Sequence, residues 1–146
     1  MFREKIGISG ELRLTHLDKD GEIIEDRVIP NLITTVGLNF IASRIDGTGT
    51  NVMSHMAVGT GSTAAVVGDT TLGTESARVA HDSSTASTNT EVYVTTFPAG
   101  TGTGAITEAG VLNAASTGTL LCRAVFSVIN KGASDSMIIT WTITVS

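Results

Sequence analysis

Met137-Ile-Ile-Thr-Trp-Thr-Ile-Thr-Val145 is the stretch that decides the fold class. Met137, Ile139, Trp141, Ile143 and Val145 share one parity, and Ile138, Thr140, Thr142 and Thr144 share the other. In a strand, successive side chains point to opposite faces, so this period of two predicts a strand with one apolar face. The threonine face is β-branched, uncharged and suited to a pleated surface. Trp141 is the only tryptophan. It is expected as a core anchor whose indole N–H needs an acceptor.

The same rhythm runs outward. Ile6, Ile8, Leu12 and Leu14 alternate with Gly7, Ser9, Glu11 and Arg13. Asp18-Lys-Asp-Gly21 reads as a tight turn, and Glu22 to Ile29 as the returning strand, stopped by Pro30. Between Asn31 and Ile45 the period changes. Val36, Phe40 and Ile41, with Ile33 close by, fit one face of a helix capped by Asn31, Thr34 or Thr35. Gly37 inside it costs about 1 kcal/mol relative to Ala, so the helix is short or something packs close there. Further strands are expected at Val52 to Val58, Ala77 to Ser83, Thr90 to Phe97, Ala105 to Leu112 and Thr119 to Val128, with glycine-rich loops between them. The expected fold is mainly β: a single-domain antiparallel β-sandwich or jelly roll of about eight strands, with one short α-helix near 32–45. Residues 1–30 are expected as a charged N-terminal hairpin or arm packed on that domain.

Charge is distributed unevenly. Twelve of the 23 Asp, Glu, Lys and Arg residues fall in the first 30 positions, and the remaining 116 positions carry 11. A net charge of −5, with only Lys5, Lys19 and Lys131 as lysines, argues against binding a phosphate backbone. No apolar run approaches the ~20 residues of a membrane-crossing helix. The start lacks a signal-peptide hydrophobic stretch, so folding in a cytoplasm is expected. The single cysteine, Cys122, lies in an apolar run and reads as a buried small hydrophobe.

Chemistry-bearing motifs are few. Asp18-Lys-Asp-Gly-Glu22 is too short for a calcium loop, and its flanks read as strands. Gly59-Thr-Gly61 and Gly100-Thr-Gly-Thr-Gly104 lack the Lys of a phosphate cradle and read as loop glycines. His16, His55 and His81 are far apart, without metal-ligand spacing. The expectation is therefore no enzyme, no catalytic residue, no metal and no cofactor. Isolated charges in apolar, Thr-rich strands are costly unless paired. Glu108 is thus expected to meet Arg78 or Arg123 as a structural ion pair.

Taken in order, Asn31-Leu-Ile with Gly37, Met56-Ala-Val-Gly-Thr-Gly61 and Asp69-Thr-Thr-Leu-Gly-Thr-Glu-Ser-Ala-Arg78 open a pattern. Ile106-Thr-Glu-Ala-Gly-Val-Leu112, Leu121-Cys-Arg-Ala-Val-Phe126 and Ile139-Thr-Trp-Thr-Ile143 complete it. This pattern resembles small virion structural proteins of tailed bacteriophages, of the capsid decoration (cement) or tail-associated kind. The resemblance runs from about Asn31 to the C-terminus. It implies a β-sandwich or jelly-roll module that binds a virion surface as an oligomer.

The expected role is to bind the capsid exterior and bridge capsomers. The expected partners are the major capsid protein and other copies of the chain (a dimer or trimer), with neither nucleic acid nor membrane. Phe2, Arg3, Glu4 and Lys5 are the candidate capsid contacts, as an arm adding to an exposed edge. The alternative is a tail-fibre or baseplate receptor-binding module, disfavoured by the scarcity of aromatics. A glycan hydrolase would need paired carboxylates on one face, which few positions beyond residue 30 supply.

Overall fold

Alternation along the chain becomes two five-stranded antiparallel sheets packed into a sandwich. The computed structural model describes residues 4–146. Ten strands and one helix occur among the described residues. The first sheet runs β2 (Ile23–Pro30), β1 (Ile8–Leu17), β10 (Ser136–Val145), β7 (Thr90–Phe97), β6 (Ser83–Ser87). The second runs β3 (Leu32–Ile33), β9 (Leu120–Lys131), β8 (Gly104–Leu112), β4 (His55–Gly59), β5 (Glu75–Ala80). The helix α1 spans Thr35–Ile45.

Strand β10 follows its sequence reading except at Val145, which is exposed at the end of the strand. Met137, Ile139, Trp141 and Ile143 are buried, while Ile138, Thr140, Thr142 and Thr144 lie half-buried on the other face. Trp141 joins Leu12, Leu14, Phe97, Met56, Ile106 and Val111 in one core formed by both sheets. The expected acceptor for its indole is not found: buried Nε1 has no hydrogen-bond partner among the described residues.

The N-terminal hairpin is not an appendage. Strand β1 pairs with β10 along its whole length, from Ile8 opposite Val145 to Leu17 opposite Ser136. The reason is its apolar parity: Leu12 and Leu14 are fully buried, so the hairpin belongs to the core. Its turn is closed by Asp18, whose carboxylate accepts from the amides of Asp20 (2.9 Å) and Glu22 (3.0 Å), with Gly21 at φ 81°.

Three boundaries differ from the sequence reading. The strand expected at 77–83 divides at His81, and its two parts, β5 and β6, lie in different sheets. The His81 amide donates to the Ser54 carbonyl and the Asp82 amide to Val94, so the chain crosses the sandwich there. The strand expected from Val52 begins only at His55. The helix begins at Thr35, because Leu32 and Ile33 pair with Arg123 and Cys122 as β3. Thr34 caps it. Its hydroxyl donates to the Leu120 carbonyl (2.7 Å) and accepts from the Gly37 amide (3.0 Å). Gly37 is the close-packing glycine that the sequence suggested: a Cβ there would fall on the Leu121 carbonyl oxygen of β9.

Two predictions follow from this packing. Gly37→Ala gains helix propensity but forces α1 off β9. A net loss of about 1–3 kcal/mol is expected in a denaturant titration, the usual cost of overpacking. The second concerns His81. Its Nδ1 lies 2.9 Å from Thr95 Oγ1, its ring stacks on Tyr93, and Nε2 is buried without a partner among the described residues. Burial, then the charge of His55, push its pKa down to about 4 from the ordinary 6.5, with Asp82 opposing. A depressed value means that the unfolded chain takes up the proton first. The stability contribution is full above pH 6.5 and is lost as pH falls towards 4. Replacing His81→Gln should flatten the dependence of Tm on pH across that window; an unchanged slope would remove this role.

Candidate functional site

Glu108 is drawn out of the core by a β-bulge. The β8–β9 register shifts between Ile106 and Glu108. Ala109 and Val111 then face the core, and Glu108 points from the opposite face of the second sheet. The chain between β4 and β5, residues 60–74, covers that face. Its Leu72 packs with Ala57, Leu112 and Leu120 in a small second apolar cluster.

Under this cover Glu108 is fully buried and Arg123 nearly so. The Glu108 Oε1 accepts from the amides of Gly61 (2.9 Å) and Thr74 (2.7 Å). Its Oε2 accepts from the Gly73 amide (2.8 Å) and from Arg123 Nε (2.9 Å). The Arg123 guanidinium also donates to Asp69 Oδ2 (2.9 Å) and to the Thr63 carbonyl (3.0 Å). Burial by itself raises the Glu108 pKa. The three amides and Arg123 outweigh it and hold the carboxyl below its ordinary value, so the group is ionised.

Glycines let the backbone come this close. A Cβ at Gly61 would collide with Glu108 Oε1, and one at Gly59 with both the Thr74 carbonyl and Glu108. At Gly73 it would crowd Arg123. The Gly59-Thr-Gly61 segment, which reads as loop glycine in the sequence, is thus one wall of a cradle for an internal carboxylate.

The carboxylate of Glu108 is saturated: both oxygens hold two donors each, while Arg123 donates to two carboxylates and a carbonyl. Glu108 has no exposed surface, and Arg123 and Asp69 help line a cavity bounded by Thr63 and residues 68–73. What the network does is immobilise residues 60–74. Asp69 Oδ2 also accepts from the Val66 amide (2.9 Å), and the Val67 carbonyl accepts from the Thr35 amide (2.8 Å). The held loop displays Val66 and Val67, exposed at 55% and 57%, at the start of the helix that carries the exposed Leu38.

The other candidate residues lie elsewhere. Arg78 does not meet Glu108. It pairs with Glu75 (2.7 Å) and donates to the carbonyls of Ala114 and Thr117, because it sits on β5 beyond the loop. Glu4 and Lys5 are exposed and outside any strand, and Phe2 and Arg3 lie outside the described residues. Trp141 is in the core, away from the clamp.

Sequence reasoning missed Asp69, whose partner is 54 positions away. It also missed a second buried polar group at one end of the sandwich. There His16 Nε2 lies 2.8 Å from Asp135 Oδ2, and the buried Lys131 ammonium donates to the carbonyls of Pro98 and Asp135. His16 carried a signal, since it shares the core parity of Leu12 and Leu14. Among the described residues, no group of three or more His, Cys, Asp or Glu is placed to hold a metal ion.

Comparison of the chain with protein-family models, curated proteins and solved structures finds no match.

Arg123→Ala should cost about 3–5 kcal/mol, the usual penalty for stranding one member of a buried ion pair. Amide exchange at Gly61, Gly73 and Thr74 should accelerate in that variant. Exchange unchanged at these three amides would show that the loop is held by something else. Acid should act on the same clamp. A depressed carboxylate contributes fully above its unfolded pKa and loses the contribution only as pH falls through its lower, folded value.

Proposed function

We propose that this protein is a structural virion protein that binds the outer surface of a phage capsid and stabilises it by bridging capsomers. The observation that carries the reading is the clamped loop. Buried charges are expensive, with a desolvation penalty of about several kcal/mol per ion. Here they serve to hold an exposed apolar pair, Val66 and Val67, in one fixed geometry. A contact segment ordered before binding loses little conformational entropy on docking. A carboxylate that is fully buried and saturated with donors, as Glu108 is, favours a fastening role over chemistry.

Two further observations support it. On the outer face of the first sheet β10 and β7 present an uncharged strip, Ile138, Thr140, Thr142 and Thr144 beside Val92, Val94 and Thr96, as suits a protein packed against neighbours. The chain is acidic, with a net charge of −5, which suits the outside of a shell that encloses DNA. The sequence resemblance to phage decoration proteins supplies the kind of surface. Many weak, geometrically linked contacts then reinforce the shell.

A Val66→Asp/Val67→Asp variant should keep the wild-type Tm, since both side chains are exposed. It should lose at least about tenfold in co-sedimentation with shells of the major capsid protein, equivalent to about 1.4 kcal/mol. Removing residues 1–5 tests the N-terminal contact separately. Undiminished binding by both variants would sink the docking surface proposed here. A handful of copies per purified particle, in place of many, would move the protein to the tail.

A further inference from the structure

Charge separates the cavities of this protein. Three of them contain a charged side chain: Arg123 with Asp69 in one, Glu91 in another, Glu11 in a third. A fourth is lined by uncharged residues alone. It is a groove of about 360 Å³ between α1 and the loop that follows it, with Thr119 beside them.

Both walls of the groove are fixed. Val36, Asn39, Phe40 and Ser43 line it from the helix, and their spacing of three, four and seven puts them on one face. Thr48, Gly49 and Thr50 line it from the loop. The loop lies close because residue 49 is glycine: a Cβ there would fall on Ser43 Oγ and crowd Arg44. Buried Asn113 braces it. The Asn113 carboxamide donates to Thr50 Oγ1 (2.9 Å) and to the Asn51 carbonyl (3.1 Å), and accepts from the Thr119 amide (2.7 Å). The flanking charges are spent locally. Arg44 donates to the Thr50 carbonyl (3.1 Å), and Asp46 accepts from the amide (3.0 Å) and hydroxyl (2.6 Å) of Thr48.

Burial orders the lining by depth. Val36 and Phe40 are half-buried, and Phe40 packs against the core. Asn39, Thr48 and Thr50 are exposed. The result is an apolar floor under a polar rim. Bonds already made leave that rim with both kinds of capacity. Thr50 Oγ1 accepts from Asn113, so its O–H is left to donate. Ser43 Oγ donates to the Phe40 carbonyl (2.6 Å) and Thr48 Oγ1 to Asp46, so their lone pairs are left to accept. The Asn39 carboxamide can do both.

We propose that this groove binds a neutral saccharide. A sugar ring has an apolar C–H face, which suits Phe40 and Val36, and hydroxyls that donate and accept, which suit the mixed rim. An apolar cavity of about 300–1,000 Å³ with a few placed polar groups is the usual form of a small-ligand site. An acidic glycan or a nucleotide would find no cation in this lining to offset the loss of water from its charge. Tyr93, Phe97 and Trp141 are committed to the core, whereas the Phe40 ring reaches the groove. Walls fixed before binding lose little entropy on taking a ligand. This site belongs to the isolated chain and does not rest on the virion reading.

The test is to apply the full chain to an array of neutral oligosaccharides with their sialylated and sulfated counterparts. Neutral glycans should be retained in preference to charged ones. Titrating the best-retained glycan into isotope-labelled protein should shift the amide resonances of Asn39, Ser43, Thr48, Gly49 and Thr50. The double variant Asn39→Ala/Ser43→Ala should raise the Kd at least about tenfold. Its Tm should not fall, since alanine is the stronger helix former at both positions. Ser84→Ala, on exposed β6, should bind as wild type. Retention of no neutral glycan would overturn the proposal, as would retention of charged glycans alone. Shifts confined to other residues, or an unaltered Kd in the double variant, would overturn the site.

Discussion

The pairing of Glu108 with three backbone amides and Arg123 is the constraint on which the second sheet's outer face depends. Residues 60–74 have no strand or helix to satisfy their own backbone, and a segment of that length closes at an entropic cost. One carboxylate substitutes for a ladder by collecting the amides of Gly61, Gly73 and Thr74. Arg123 then extends the hold to Asp69, and Asp69 to Val66. Charge, buried and spent on backbone, does here what a sheet does elsewhere in the molecule.

The uneven spread of charge acquires a physical sense from this. Several of the few charges beyond residue 30 serve as internal fasteners: Glu108 and Arg123 under the loop, and Arg78 with Glu75 on β5. Lys131 and Asp135 close the turn between β9 and β10. The concentrated charges of the first 30 residues act differently. They line the edge hairpin, where Arg13 pairs with Asp26, and Arg27 with Glu25. Charge in the middle of an edge strand discourages promiscuous pairing.

Much of this was legible in advance where the signal is local. Alternation in β1, β7 and β10 needs only neighbouring residues, and the buried parities agree with it. Gly37 was readable as a close approach because glycine within a helix is costly and so implies a reason. The division of 77–83 was not readable. Its residues favour strand throughout, and the crossing at His81 is set by amide bonds to Ser54 and Val94, which are distant in sequence. Arg78 and Arg123 were equal candidates for Glu108 for the same reason. Both lie in strands, and only the β8–β9 register and the loop above it choose between them.

The sequence by itself determined the β class, the short helix, the core role of Trp141 and the need for Glu108 to find a cation. These follow from periodicity and from the cost of burying charge, which are properties of residues and their near neighbours. Tertiary structure alone decided that the hairpin of residues 8–30 is two strands of the first sheet, that Gly59, Gly61 and Gly73 cradle a carboxylate, and that Asp69 completes the clamp. Four of the six motifs that carry the resemblance, at 56–61, 69–78, 106–112 and 121–126, supply atoms or packing to that one buried network. Their common purpose is invisible along the chain, because hydrogen bonds between residues tens of positions apart leave no periodic trace in it.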